Sequence, residues 1–220
     1  NNAPQWHTVV GGSCTDVEKI MSDFNGKVIK GNGVKTIIRK DGNVIVSLDK
    51  GEELSFDKLV CATHADQTYK MITDITDEER LILEPWEYSR TRTVLHTDSS
   101  FMPPSKNAWA CWNYIKNKGS KDEDNVSVTY YMNRLQGLST NNDYLVTLNP
   151  VTEIPKDKII YETVYTHPKY TQQSLATQKN ISDVSGKENV FFCGSYCRYG
   201  FHEDAVLSAV NVAKKLGCDL

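Results

Sequence analysis

The chain has 220 residues, 39% hydrophobic and 24% charged, with a net charge of −3 from 25 Lys and Arg against 28 Asp and Glu. That is enough for one large globular domain or two interleaved lobes, and the composition is not that of a disordered chain. The near-balanced charge gives no electrostatic reason to expect nucleic acid or an anionic membrane surface as a partner, and no apolar run approaches the ~18 to 20 residues of a transmembrane span.

The opening "NNAPQWHTVVGGS" shows no basic region followed by an apolar core. It brings a tryptophan and a glycine turn before any element that could pack them, so a preceding N-terminal portion is expected. Residues 13–24 are predicted as a helix, with Ser13 and Thr15 as caps and Val17, Ile20, Met21 and Phe24 on one face. "KVIKG", "VKTIIRKDG", "NVIVSLDKG" and "FDKLVCA" then read as a strand followed by a meander, divided at Asp41-Gly42 and Lys50-Gly51. Two short helices are predicted at 65–72 and 77–83, the second capped by Thr76 with three acids in its first turn. After Pro85 the segments "YSRTRTVLHTD", "NAWACWNYI", "NVSVTYYMN" and "DYLVTLNP" suggest an antiparallel sheet, and "KNKGSKDEDN" reads as a solvated hairpin connection. A strand at "KIIYETVYTHP", a helix near 171–181, a strand at "VFFC" and an amphipathic C-terminal helix complete the series.

Few of the chemically suggestive residues form a convincing motif. Cys193, Cys197 and His202 have the form C-x3-C-x4-H, but zinc needs a second ligand pair, so no metal is expected. The six cysteines mostly lie in apolar runs and read as buried reduced thiols, which makes the cytoplasm the expected location. "GNGVKT" begins like a dinucleotide fingerprint but leads into β-branched sequence where a phosphate loop needs a helix, so it is read as a bend. His96 with Asp98, and His167, are possible acid–base groups without a serine elbow beside them. Period-2 alternation over "WACWNY" places Trp109, Cys111 and Asn113 on one face and Trp112 and Tyr114 on the other. This is either a core sheet with an aromatic layer or one wall of a substrate cavity with an amide for orientation.

Taken together, "WHTVVGGSCTDVEKI", the stretch from "GNGVKTIIRKDG" to "LVCATHADQTYKMI", "AWACWNY", "VTYYMNRLQGL", "YLVTLNP" and "CGSYCRYGFHEDAVLSAVNVAKKLG" resemble the C-terminal half of flavin-containing amine oxidase-like proteins, in a bacterial branch of FAD-dependent oxidoreductases. The resemblance runs over nearly the whole chain. It implies a mixed α+β fold, the C-terminal portion of a two-lobed flavoprotein. In this reading 1–66 is the middle segment of the FAD-binding lobe, 67–185 the substrate-binding lobe and 186–220 the last segment of the FAD-binding lobe. The segment bearing the pyrophosphate turn would lie in the N-terminal portion.

Position by position, the resemblance assigns cofactor contacts to Val34, Ala62, Gly194, Ser195, Asp204, Ala205 and Val206. Ser195 stands where the family usually has an acid. Asp204 to Val206 would begin the helix that faces the flavin's pyrimidine end, where exposed N–H groups favour the negative charge of a reduced ring. The acids at 203 and 204 are therefore expected to cap or pair elsewhere. Trp109, Trp112, Asn113 and Tyr130 are the expected substrate wall, and no lysine of the kind many amine oxidases place near flavin N5 is found.

The implied activity is FAD-dependent oxidation of a small-molecule or lipid-like substrate by hydride transfer. The alternative from another class is a non-catalytic substrate- or partner-binding lobe, since without the pyrophosphate turn the chain alone is expected to hold no FAD. A hydrolase built on His96, Asp98 and a serine is the third reading.

Overall fold

The computed structural model describes residues 5, 7–116 and 126–218; the charged connection expected around 116–125 lies almost wholly outside them. In chain order the elements are α1 (Cys14–Asp23), β1 (Val34–Lys40), β2 (Asn43–Leu48), β3 (Glu53–Phe56), β4 (Leu59–Cys61), α2 (Ala65–Met71) and α3 (Asp77–Leu83). Then come β5 (Tyr88–His96), β6 (Trp112–Lys116), β7 (Val126–Tyr131), α4 (Met132–Gln136), β8 (Leu145–Leu148) and β9 (Ile159–Pro168). The last are α5 (Gln172–Thr177), α6 (Ile181–Val184), β10 (Val190–Phe192) and α7 (His202–Lys215). The fold is mixed α+β with mainly antiparallel sheets, as expected.

These elements form two compact units, Asn1–Lys27 with Arg90–Thr166, and Val28–Ser89 with His167–Leu220. In the second, β1, β2 and β3 make an antiparallel meander turned at Asp41-Gly42, both with positive φ. Alternation along β2 buries Val44, Val46 and Leu48 on one face. Val44 joins a core containing Ile37, Ile82, Leu83, Trp86, Val190, Phe192 and Tyr196. Trp86 is 2% exposed and its indole N–H donates to Thr177 Oγ1 at 3.0 Å, so the largest core side chain leaves no donor unpaired. The helix α3 begins with the predicted capping box: Thr76 Oγ1 accepts from Glu79 N–H and Glu79 returns a bond to Thr76 N–H. Glu79 is 2% exposed and also meets the Arg39 guanidinium, which reaches Asp74 and Glu188 as well. The separate two-stranded sheet of β4 and β10 is parallel.

In the first unit, β6, β7, β8 and β5 stand side by side with β9 next to β5, and every pairing from β6 to β5 is antiparallel. One face buries His96, Asn113, Ser127, Thr129, Leu145 and Thr147, an unusually polar set for a sheet interior. Each hydroxyl there finds a partner, including Thr129 with Thr147 at 2.9 Å.

Two expectations about elements are corrected. Residues 27–31 form no strand: Val28 and Ile29 are β-branched but exposed, and the third meander strand is instead Glu53–Phe56. The strand read through 107–115 begins only at Trp112, because Lys106–Ala108 is a 3-10 turn and Asn113 folds its amide back onto Ala110. The alternation read from Trp109 onward thus has no ladder to act on until Trp112.

Candidate functional site

The expected cofactor residues collect at one end of the β4–β10 pair. Parallel strands deliver their carboxyl ends to the same edge, and there Cys193 N–H donates to Cys61 O at 3.1 Å. Ala62 follows β4, and Gly194 and Ser195 follow β10. Gly194 N–H donates to Ser208 Oγ at 2.9 Å, which docks the middle of α7 against the strand end. Gly194 has φ of +155°, and a Cβ on it would lie 2.7 Å from Cε1 of the buried Tyr196 ring. Only glycine lets the backbone pass here. Val34 lies apart from this group in sheet terms, as the half-exposed first residue of β1 in the meander. Its position after the Gly-rich bend agrees with the rejection of "GNGVKT" as a phosphate loop, because a strand follows and not a helix.

The first turn of α7 answers the question of its acids. Asp204 is 6% exposed, and its Oδ2 accepts from Phe201 N–H at 3.0 Å and Tyr199 N–H at 3.2 Å. Arg198 Nε stands 3.7 Å from its other oxygen. The carboxylate is thus tied to the loop before the helix, as a cap, while Glu203 is exposed. The N–H groups of His202 and Glu203 lie in the first turn of α7, where the helix itself supplies no acceptor. Ala205 is half-buried and Val206 is exposed.

Burial makes the thiols and phenols around this edge poor acid–base groups. It pushes Cys61 up to about 12, helped by neighbouring Cys193, and pushes Cys197 up to about 12. It raises Tyr196 well above the ordinary phenol value, and the Tyr196 hydroxyl has no hydrogen-bond partner among the described residues. Cys193 is 4% exposed, and among the described residues no three His, Cys, Asp or Glu side chains gather as a metal cluster.

The expected substrate wall divides between two roles. Trp112 and Tyr130 are cross-strand partners on the open face of the sheet, and Trp112 is 59% exposed. Asn113 points to the buried face, where its carbonyl accepts from Ala110 N–H at 3.0 Å and its amino group donates to Ala110 O at 2.9 Å. Trp109 is 9% exposed, donates from its indole to Pro103 O at 2.8 Å and meets Tyr131 edge-on at 5.1 Å. Both therefore hold the segment that presents Trp112. The sequence reasoning missed α4 and with it Met132, Arg134 and Leu135, which line a cavity of about 610 Å³ beside Cys111 and Trp112. The signal was Gly137: it sits at φ +61° as the C-cap of a one-turn helix inside "YYMNRLQG".

His96 is fully buried and its environment does not make a hydrolase. Its Nδ1 accepts from Asp98 backbone N–H at 3.1 Å and its Nε2 meets Thr147 Oγ1 at 2.7 Å. Asp98 offers the ring an amide and turns Oδ1 to Ser100 N–H, and no serine stands on the other nitrogen. Burial holds His96 below its ordinary value, so it is neutral.

Residues 128–216 match the family described as flavin containing amine oxidoreductase. The match takes in Tyr130, Gly194, Ser195 and the start of α7, and stops short of Trp109, Trp112 and the meander. Among solved structures, the chain resembles a CLA-producing fatty acid isomerase from P. acnes, with 13% identity, a TM-score of 0.67 and 94% of this chain covered. It resembles a reduced UDP-galactopyranose mutase equally well, with 15% identity, a TM-score of 0.66 and 94% coverage. At these identities the likeness is one of fold. The chain spans about half of each of those proteins, 52% in both cases. No curated protein matches the sequence. No helix among the described residues is long and apolar enough to cross a membrane.

Proposed function

We propose that the chain is the C-terminal half of an FAD-dependent oxidoreductase that oxidises a small or lipid-like substrate by hydride transfer to the flavin. In this reading 1–66 and 186–220 serve the FAD-binding lobe and 67–185 the substrate-binding lobe. The reading rests above all on the edge where β4 and β10 end. There the backbone at Gly194 is too close to Tyr196 for a side chain, and α7 begins with its one buried acid turned back into the loop. Such an edge fits an extended anionic or electron-rich cofactor, because a helix start supplies backbone donors and Asp204 is turned to the Tyr199 and Phe201 N–H groups.

When bound, FAD supplies the hydride acceptor. The residues of this chain bind and orient. Gly194 and Ser195 give backbone beside the ribityl chain, Ala62 gives a small strand end, and the first turn of α7 stabilises negative charge at the ring's pyrimidine end by about 1 kcal/mol where exposed, more in a dry site. Asp204 keeps that turn fixed by capping it, and Val34 meets the adenine with its backbone. Trp112 and Tyr130 form the substrate wall, with Trp109 and Asn113 fixing its backbone. The raised thiols of Cys61 and Cys197 stay protonated at neutral pH, and six free cysteines accord with a cytoplasmic, reducing location.

Adding the N-terminal segment and FAD is expected to give a flavin absorption spectrum that bleaches with substrate in the absence of oxygen. A full-length protein that takes up no flavin refutes the reading. A second reading takes this chain as a substrate- or partner-binding lobe that holds no FAD by itself. A colourless purified chain supports that reading and a yellow one overturns it.

A further inference from the structure

The cavity beside α4 has a chemical character that narrows the substrate class. Its walls include Trp112, Met132 and Leu135, with Gln136 and His7 among the polar lining and Arg134 as the sole permanently charged lining residue described. Among the described residues no carboxylate lines it. At about 610 Å³ it falls within the usual range of roughly 300–1,000 Å³ for small-molecule sites.

The guanidinium is held in place from behind. Arg134 Nη1 donates to Trp109 O at 2.9 Å, and Trp109 is itself buried and tied through its indole to Pro103 O. The short helix carrying Arg134 is pinned on its other side by Asn133, whose amide bonds Asn142 O at 2.7 Å and Tyr144 N–H at 2.8 Å. Asp143, on the segment that follows α4, accepts from Tyr131 Oη at 2.9 Å and stands 3.8 Å from Lys106 Nζ. A fixed cation whose remaining donors are unpaired among the described residues, set against aromatic and aliphatic walls, selects a planar anion joined to an apolar chain.

We infer that this cavity binds a free long-chain carboxylic acid, with Arg134 receiving the carboxylate and Trp112, Met132 and Leu135 packing the chain. The inference rests on the reading of this region as a substrate wall and names the substrate that wall takes. Arg134 is a binding residue with no part in the redox step.

The test is calorimetric titration of the 220-residue chain with monomeric dodecanoate, dodecan-1-ol and dodecylamine, with no flavin present. Dodecanoate is expected to bind saturably at one site, with the alcohol at least about tenfold weaker and the amine weaker still. Arg134→Gln should weaken dodecanoate about tenfold or more and leave the alcohol unchanged, and Arg134→Lys should recover part of the loss. Because Arg134 also ties Trp109 O, Trp112→Ala serves as the second variant: it removes an exposed ring and should weaken acid and alcohol alike. The inference is overturned by equal binding of the three ligands, by an Arg134→Gln variant that is folded and binds dodecanoate as before, by no saturable binding, or by co-sedimentation with anionic vesicles without binding of the monomeric acid. A chain that binds dodecanoate while the full-length protein takes up no flavin would retire the oxidoreductase reading and leave this one standing. The opposite pair of results would do the reverse.

Discussion

Gly194→Ala tests the claim that backbone approach at the end of β10 is dictated by packing. An added Cβ would sit 2.7 Å from Tyr196 Cε1 and 2.8 Å from its Cδ1, well inside van der Waals contact. The ring has little room to yield. It is 2% exposed, meets Trp86 edge-on at 5.6 Å and belongs to the core with Cys61, Val190 and Phe192. The positive φ of +155° adds backbone strain for any residue with a side chain. Overpacking of this kind costs about 1–3 kcal/mol. A loss of ~2 kcal/mol in a chain of this size lowers the melting temperature by about 4–8 °C. Urea unfolding and thermal melting should both show the loss, and Gly194→Ala combined with Tyr196→Leu should relieve the contact with Cε1 and Cδ1 and restore part of it beyond the sum of the single effects. An alanine variant within 0.5 kcal/mol of wild type would mean that the ring or the strand end moves freely, and the rigid glycine edge would have to be abandoned.

Asp204→Ala should cost about 1–2 kcal/mol in unfolding experiments by orphaning the Phe201 and Tyr199 N–H groups, while Glu203→Ala, at an exposed position, should be within about 0.5 kcal/mol of wild type. Arg39→Ala leaves Glu79 buried without its counter-ion and should cost about 3–5 kcal/mol, whereas Arg39→Met with Glu79→Met should be far milder by the same measurement. Iodoacetamide at pH 8 followed by mass spectrometry of the native chain should label exposed Cys14 and Cys218 and spare Cys61 and Cys197, whose thiols are pushed up to about 12. His96 is held below its ordinary value, so the unfolded chain binds its proton first: its contribution is complete above about pH 6.5 and is lost as pH falls through that value toward the folded one, with a slope of at most about 1.4 kcal/mol per pH unit. Unfolding free energy measured from pH 7.5 to 5 should fall less steeply in His96→Gln.

Local chemistry made much of the fold legible. The Asp41-Gly42 turn, the Thr76–Glu79 capping box and the period-2 pattern of β2 are each decided within a few residues, and each is found where the sequence puts it. What escaped was decided at a distance. Val28 and Ile29 have strand propensity but no ladder partner among the described residues, and β-propensity without a partner makes no strand. Trp109 alternates correctly with Cys111 and Asn113 on paper, yet the Asn113 amide closes a turn on Ala110 and the ladder starts three residues later.

The site was legible in proportion to how far backbone, and not side chain, carries it. Gly194 and the first turn of α7 could be assigned from the sequence because a strand, a glycine and a helix start in succession fix where N–H groups point. The role of Asp204 was also foreseeable, since an acid aimed at an electron-rich ligand would oppose it, and three and five residues upstream lie the N–H groups it caps. The substrate wall had no such constraint. Rings at 109, 112 and 130 are equally good core and equally good lining, and only register separates them: Trp112 pairs Tyr130 on the open face, while Trp109 lies ahead of the strand and is buried. Arg134 was hidden for the same reason, because its significance depends on a tryptophan carbonyl 25 residues away that holds the guanidinium at the cavity. Charge in a binding wall is informative once its neighbours are known, and here the neighbours are an immobilised aromatic behind it and an apolar cavity in front.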